Sequence, residues 1–160
     1  MTDPFRPIKN AFGRFATGVT VVSCLDKSNR PVAITVNSFT SVSLDPPLVL
    51  WCLETRASTF ESFVSAENYA VSILRAGDAD VSNRFAAQPS VPLKPEETDT
   101  WISGAPLLKN RLAGFDCKVV DRHRSGDHVI LVGNVLKFDS NTGAPLLYFA
   151  SDYADGPEVK

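Results

Sequence analysis

VNSFTSVSLDPPLVL, Val36 to Leu50, sets five hydroxyl or amide side chains (Asn37, Ser38, Thr40, Ser41 and Ser43) between two apolar, strand-like runs and ends in two prolines. Read as a connection, it is about twice as long as a hairpin loop of about two to five residues. Two explanations stand. Serine and asparagine side chains bond their own backbone in Asx- and ST-turns. Alternatively, the segment is a neutral hydrogen-bonding cradle. A flat heterocycle with carbonyl and ring-nitrogen acceptors needs N–H and hydroxyl donors close by, and small side chains let the backbone approach.

The flanking runs carry the fold. GVTVVSCL (18–25), VAITVN (32–37), LVLWCL (48–53) and NYAVSIL (68–74) are β-branched or apolar, and the polar DKSNRP turn separates the first two. AGFDCKVVDRHR and DHVILVGNVLKFD flank a Ser125–Gly126 turn and predict a long hairpin, and PLLYFA (145–150) is a last strand. Helices are short. Ile8, Phe12 and Phe15 share one helical face, for the core or an interface between copies, with Pro7 to start the helix and Gly18 to end it. Ser58 and Glu61 have capping-box spacing, which starts a helix near Thr59. Asp78 caps another through Val81 to Phe85. Gln88 to Pro106, with four prolines, reads as a surface excursion anchored by Trp101. The expectation is one mainly β domain over residues 1–160, an antiparallel Greek-key-type barrel with short helices.

Composition narrows the function. The chain has 160 residues, net charge −2 and no basic tract, which argues against nucleic acid. No apolar run approaches the ~20 residues of a membrane helix, and the N-terminus has no signal-peptide core, so a cytoplasmic protein is expected. Cys24, Cys52 and Cys117 lie far apart in apolar runs and read as buried free thiols, not a disulfide framework or zinc site. No Ser–His–Asp order, H-E-x-x-H motif or metal-ligand spacing stands out, and no G-x-G-x-x-G follows a strand. His123 reads as solvated. His128 opens an apolar strand after Gly126–Asp127 and is either a turn-side surface histidine or a polar group at a barrel mouth. Ser58 and Thr59 offer either the capping box or donors for a phosphate at a helix start.

Eight segments in order resemble the flavin reductase-like family, the small NAD(P)H:flavin oxidoreductases with the FMN-binding split-barrel fold. They are GRFATGVTVVS, ITVNSFTSVSLDPPLVL, RASTFESF, AVSILRAG, NRFA, GAPLL, SGDHVILVGNV and PLLYF, and they run from about Phe12 to Tyr153. The resemblance implies a homodimer that binds FMN or FAD, takes NADH or NADPH as hydride donor, and often supplies reduced flavin to a separate monooxygenase. It sets the flavin ring against Thr35, Val36, Asn37, Ser38, Ser41, Val42 and Ser43, the phosphate end near Ser58 and Thr59, and Phe85 at the cofactor. His128, of the GDH motif, stands beside the nicotinamide. No side chain need act as acid or base, because the flavin carries the chemistry. Two other readings stay open: a flavoprotein that reduces a metal complex such as ferric iron or a cobalt corrinoid, and a flavin-binding module without turnover. The acidic C-terminal FASDYADGPEVK (149–160) departs from the basic or glycine-containing run of many members.

Overall fold

The computed structural model describes residues 3–87 and 91–160. In chain order the elements are α1 (Arg6–Phe12), β1 (Thr17–Gly18), β2 (Thr20–Leu25), β3 (Pro31–Val36), β4 (Thr40–Leu44), β5 (Pro47–Glu54), α2 (Phe60–Ser65), β6 (Asn68–Ile73) and α3 (Ala79–Ala87). β7 (Thr98–Thr100), β8 (Pro106–Leu108), β9 (Ala113–Ser125), β10 (His128–Ser140), β11 (Leu146–Phe149) and β12 (Asp152–Asp155) follow.

Val36–Leu50 is not one long loop. Thr40–Leu44 pairs antiparallel with β5, with a bulge between Ser41 and Ser43, so the connection from β3 shrinks to Asn37–Phe39. β4 is an edge strand exposed along nearly its whole length, so it lacks the alternation of a half-buried strand.

That short connection decides the architecture. The main sheet runs β3-β2-β6-β9-β10-β5-β4, which puts β3 and β4, neighbours in sequence, at opposite edges. Seven strands about 4.8 Å apart would make a flat sheet about 29 Å across. Four residue steps from Val36 to Thr40 reach about 14 Å at most. The sheet therefore curls into a barrel. At the seam between β3 and β4 the Ser38 hydroxyl ties the connection to β5, accepting the Cys52 N–H at 2.9 Å and donating to the Cys52 carbonyl at 3.3 Å.

Inside the barrel Val22, Trp51, Leu53, Phe63, Tyr69, Val71 and Leu131 form one core, with Trp51 edge-on to Phe63 and Tyr69 at 5.0 and 5.9 Å. Outside it, Val19, Val21, Ala33, Leu74, Phe85 and Leu146 form a second core under α3 and β11. β2 is covered on both faces, which is why its sequence reads as a continuous apolar run. Each buried valine there contributes about 1.5–3 kcal/mol. A charged residue at Val21 or Val22 would break one of the two cores.

Several expectations are corrected. α1 stops at Gly13, while Gly18 lies in β1 and pairs with Leu147. No residue of α1 is buried. Ile8, Phe12 and Phe15 are exposed because the helix lies outside both cores. The Ser58–Glu61 capping box does not form. Thr59 holds the N-cap position of α2, without a side-chain cap bond. As expected, Asp78 holds the N-cap position of α3, its carbonyl accepting the Ser82 N–H at 3.0 Å, while its carboxylate accepts the Arg75 N–H at 3.0 Å. Within the proline-rich stretch, Gln88–Ser90 lie outside the described residues, while Thr98–Thr100 and Pro106–Leu108 pair as β7 and β8. Trp101 packs on Ala70, Ala105 and Leu107, with the Arg111 guanidinium and Lys137 ammonium each 4.8 Å from its ring centre.

Candidate functional site

β3 carries a cleft at each end. At its C-terminal end, Thr35, Val36 and Asn37 line a cleft of about 230 Å³ with Ser82, Tyr148 and Tyr153. The local fold explains the lining. β3 is an edge strand, α3 packs on its outer face, and Thr35 Oγ1 donates to the Ser82 carbonyl at 2.7 Å. The Tyr153 hydroxyl lies 2.7 Å from Ser82 Oγ and donates to Asn83 Oδ1 at 3.1 Å. Asn37 and Tyr148 also border a larger cleft of about 670 Å³ under α1, beside Arg6, Lys9, Phe12 and Thr17. Thr17 Oγ1 is buried there without a hydrogen-bond partner among the described residues.

At the N-terminal end of β3, Ser58, Thr59 and Ser62 face the β2–β3 turn across a cleft of about 390 Å³. Thr59 Oγ1 is also buried, with no partner among the described residues. A buried hydroxyl left without a partner costs about 1–3 kcal/mol. Two such hydroxyls, one in each of the two larger clefts, mark places where a polar ligand would supply what the protein does not. The hydroxyls of Thr35, Ser82 and Tyr153 in the C-terminal cleft are already bonded within the protein, so among the described residues the uncommitted buried hydroxyls are those of Thr17 and Thr59.

The other expected residues are dispersed. Ser38 spends its hydroxyl on the Cys52 backbone at the seam. Ser41, Val42 and Ser43 lie along the β4 edge. Phe85 is wholly buried in the second core, so its ring presents no surface in either cleft. His128 opens β10 opposite Glu54, two residues from Ile130, the partner of Cys52. That is about 7 Å along the strand from the level of Ser38. Its Nδ1 lies 2.7 Å from the Asp127 carboxylate, which that contact holds below its usual pKa. The Asp127 carbonyl accepts the Thr55 N–H at 2.9 Å, docking this turn against the start of the Arg56–Thr59 segment. His123 pairs with Asp121 at 3.0 Å on an exposed strand end.

Ser82, Tyr148 and Tyr153 escaped the sequence reading. The two tyrosines stack edge-on at 5.5 Å because β11 and β12 form a hairpin whose turn residues, Ala150 and Ser151, have φ of 50° and 67°. Such turns favour Asn-Gly or Asp-Gly. With Ala-Ser in their place, the remaining signal was the Tyr-x₄-Tyr spacing around a two-residue break.

Comparison with known proteins agrees with this geometry. Residues 12–157 match the family model described as flavin reductase like domain. A probable flavin reductase of Rhizobium meliloti is 42% identical over 139 residues, covering 87% of this chain but only 44% of that protein, so the chain spans less than half of that relative's length. An NADH-dependent flavin reductase of Rhodococcus is 38% identical, covering 91% of this chain and 83% of the relative. The crystal structure of BorF, the flavin reductase component of a bacterial two-component tryptophan halogenase, superposes with a TM-score of 0.86 at 36% identity, covering 95% of this chain and 98% of that one. The seam-closed antiparallel barrel, the paired clefts on β3 and a family match over nearly the whole chain lead to one conclusion: the chain belongs to the flavin reductase like domain family.

Proposed function

We propose that the chain is an NAD(P)H-dependent flavin oxidoreductase that reduces FMN or FAD and passes reduced flavin to a separate monooxygenase-type component. The observation that carries this reading is the presence of clefts at both ends of β3, where Thr17 and Thr59 each keep a buried hydroxyl with no partner among the described residues. When bound, flavin supplies the redox chemistry, accepting a hydride from the reduced nicotinamide. The chain's own contribution is positional. Thr35, Val36 and Asn37 hold the ring end. Ser38 shapes the seam beside it, and Ser41, Val42 and Ser43 offer the β4 edge. Ser58 and Thr59 take the phosphate end. His128, its side chain 42% exposed at the start of β10, orients the nicotinamide carboxamide. Tyr148 and Ser82 wall the ring end against water.

The active form in this reading is a homodimer. Phe5, Ile8, Phe12 and Phe15 are each at least half exposed, and together they leave an apolar surface on and beside α1 that a second copy would cover. Sedimentation of the flavin-bound protein at micromolar concentration should give twice the 17.4 kDa chain mass, and a monomer would refute the dimer.

The deciding assay follows NADH and NADPH oxidation with FMN, FAD and metal-complex acceptors in turn. Turnover of free flavin is expected. His128→Ala should leave flavin affinity intact and lower kcat/KM for the nucleotide by about tenfold per 1.4 kcal/mol lost. Absence of flavin binding and of flavin turnover would overturn the reading.

A further inference from the structure

This inference rests on the flavin reading above and concerns which flavin is used. The cleft at the N-terminal end of β3 has a second wall, the β2–β3 turn. There Asp26 Oδ1 accepts the Ser28 N–H at 2.7 Å and the Arg30 N–H at 2.9 Å. Its Oδ2 accepts Arg30 Nε at 2.9 Å and Nη2 at 2.8 Å. These bonds hold the carboxyl below its usual pKa, the backbone N–H of Arg30 contributing most. They satisfy the carboxylate and set the guanidinium in one orientation, with Nη1 unpartnered among the described residues. An ion pair this exposed contributes little to stability, so its effect is to place a charge.

Facing it are Ser58 and the buried hydroxyl of Thr59, which has no partner among the described residues and belongs to a residue only 4% exposed. Pro31 and Pro92 complete the lining with apolar surface. A guanidinium and hydroxyls recognise phosphate oxygens, and proline faces accept a flat ring. FMN ends in one phosphate, which the hydroxyl wall accommodates. FAD continues through a second phosphate to adenosine, and only FAD would use the whole cleft of about 390 Å³.

We propose that Arg30 determines flavin specificity: it engages the second phosphate of FAD, with the adenosine against Pro31 and Pro92, so that the chain selects FAD over FMN. The test is equilibrium dialysis of riboflavin, FMN and FAD against wild type, Arg30→Ala and Arg30→Lys. Wild type should hold FAD at least about tenfold tighter than FMN, the scale of one charge-assisted hydrogen bond. Arg30→Ala should erase that preference and leave FMN and riboflavin within about twofold. Arg30→Lys, which keeps the charge and loses the fork, should fall between. ADP should compete with FAD and leave riboflavin binding unchanged. FMN bound as tightly as FAD by wild type, or both flavins weakened equally by Arg30→Ala, would overturn this proposal and leave the flavin reading standing. Failure of all three flavins to bind wild type would overturn both.

Discussion

Ser38→Ala tests whether one side chain anchors the β3–β4 connection to β5. The hydroxyl takes over where the β4–β5 ladder ends, accepting from the Cys52 N–H and donating to the Cys52 carbonyl. Alanine removes both bonds and leaves two backbone groups without partners. A net hydrogen bond is worth about 0.5–1.5 kcal/mol, and stranding a buried group costs about 1–3 kcal/mol. The seam is only part-buried, so water recovers some of the loss, and the expected cost is about 1–2 kcal/mol. For a chain of this size that lowers Tm by about 2–8 °C. The assay is urea unfolding of flavin-free protein, so that cofactor affinity does not enter. The midpoint should fall with an unchanged slope, and the Cys52 amide should exchange faster with solvent. Ser38→Thr, which keeps the hydroxyl, should recover most of the stability. An alanine variant with an unaltered midpoint and a Cys52 amide as protected as in wild type would refute the argument.

A Cβ at Gly133 would meet the Tyr69 hydroxyl and, at 2.7 Å, its Cζ. Gly133→Ala should therefore cost about 1–3 kcal/mol by overpacking, and adding Tyr69→Phe should return part of it in a double-mutant cycle measured by denaturation. The Arg84 side chain, bonded through both nitrogens at 2.8 and 2.9 Å, and the Lys94 N–H hold Glu97 below its ordinary pKa of 4.5. The folded-state value being the lower one, this stabilisation is complete above the ordinary value and is lost as pH falls through the folded one. Arg84→Met should flatten the acid limb of a stability–pH curve, and an unchanged limb would count against the pair. Burial pushes the Cys24 and Cys117 thiols up to about 12, whereas Cys52 is only half-buried. A thiol reagent should label Cys52 first in the native protein and reach the other two only on unfolding, as mass spectrometry of the labelled peptides would show.

Most of the barrel was legible in the sequence because its strands face a core. β2, β5, β6 and the β9–β10 hairpin declare themselves through apolar runs, with turn signals at Asp26–Arg30 and Gly126. Three free cysteines were equally plain, and the ordered motifs carried the family. Other features came only from the tertiary structure. β4 is exposed at the sheet edge, so no burial pattern marked it as a strand. The apolar stripe of α1 looked like a core face, but helical periodicity records an apolar side without naming what covers it. Ser38 meets Cys52 across 14 positions where the β4–β5 pairing extends past Thr40, and Ser82 meets Tyr153 across 71 where α3 packs against the β11–β12 hairpin. Local sequence determines which backbone hydrogen bonds a segment can make and which of its faces avoids water. The clefts on β3 exist only where distant segments converge, and that convergence follows from a seven-stranded sheet forced to curl by a three-residue connection.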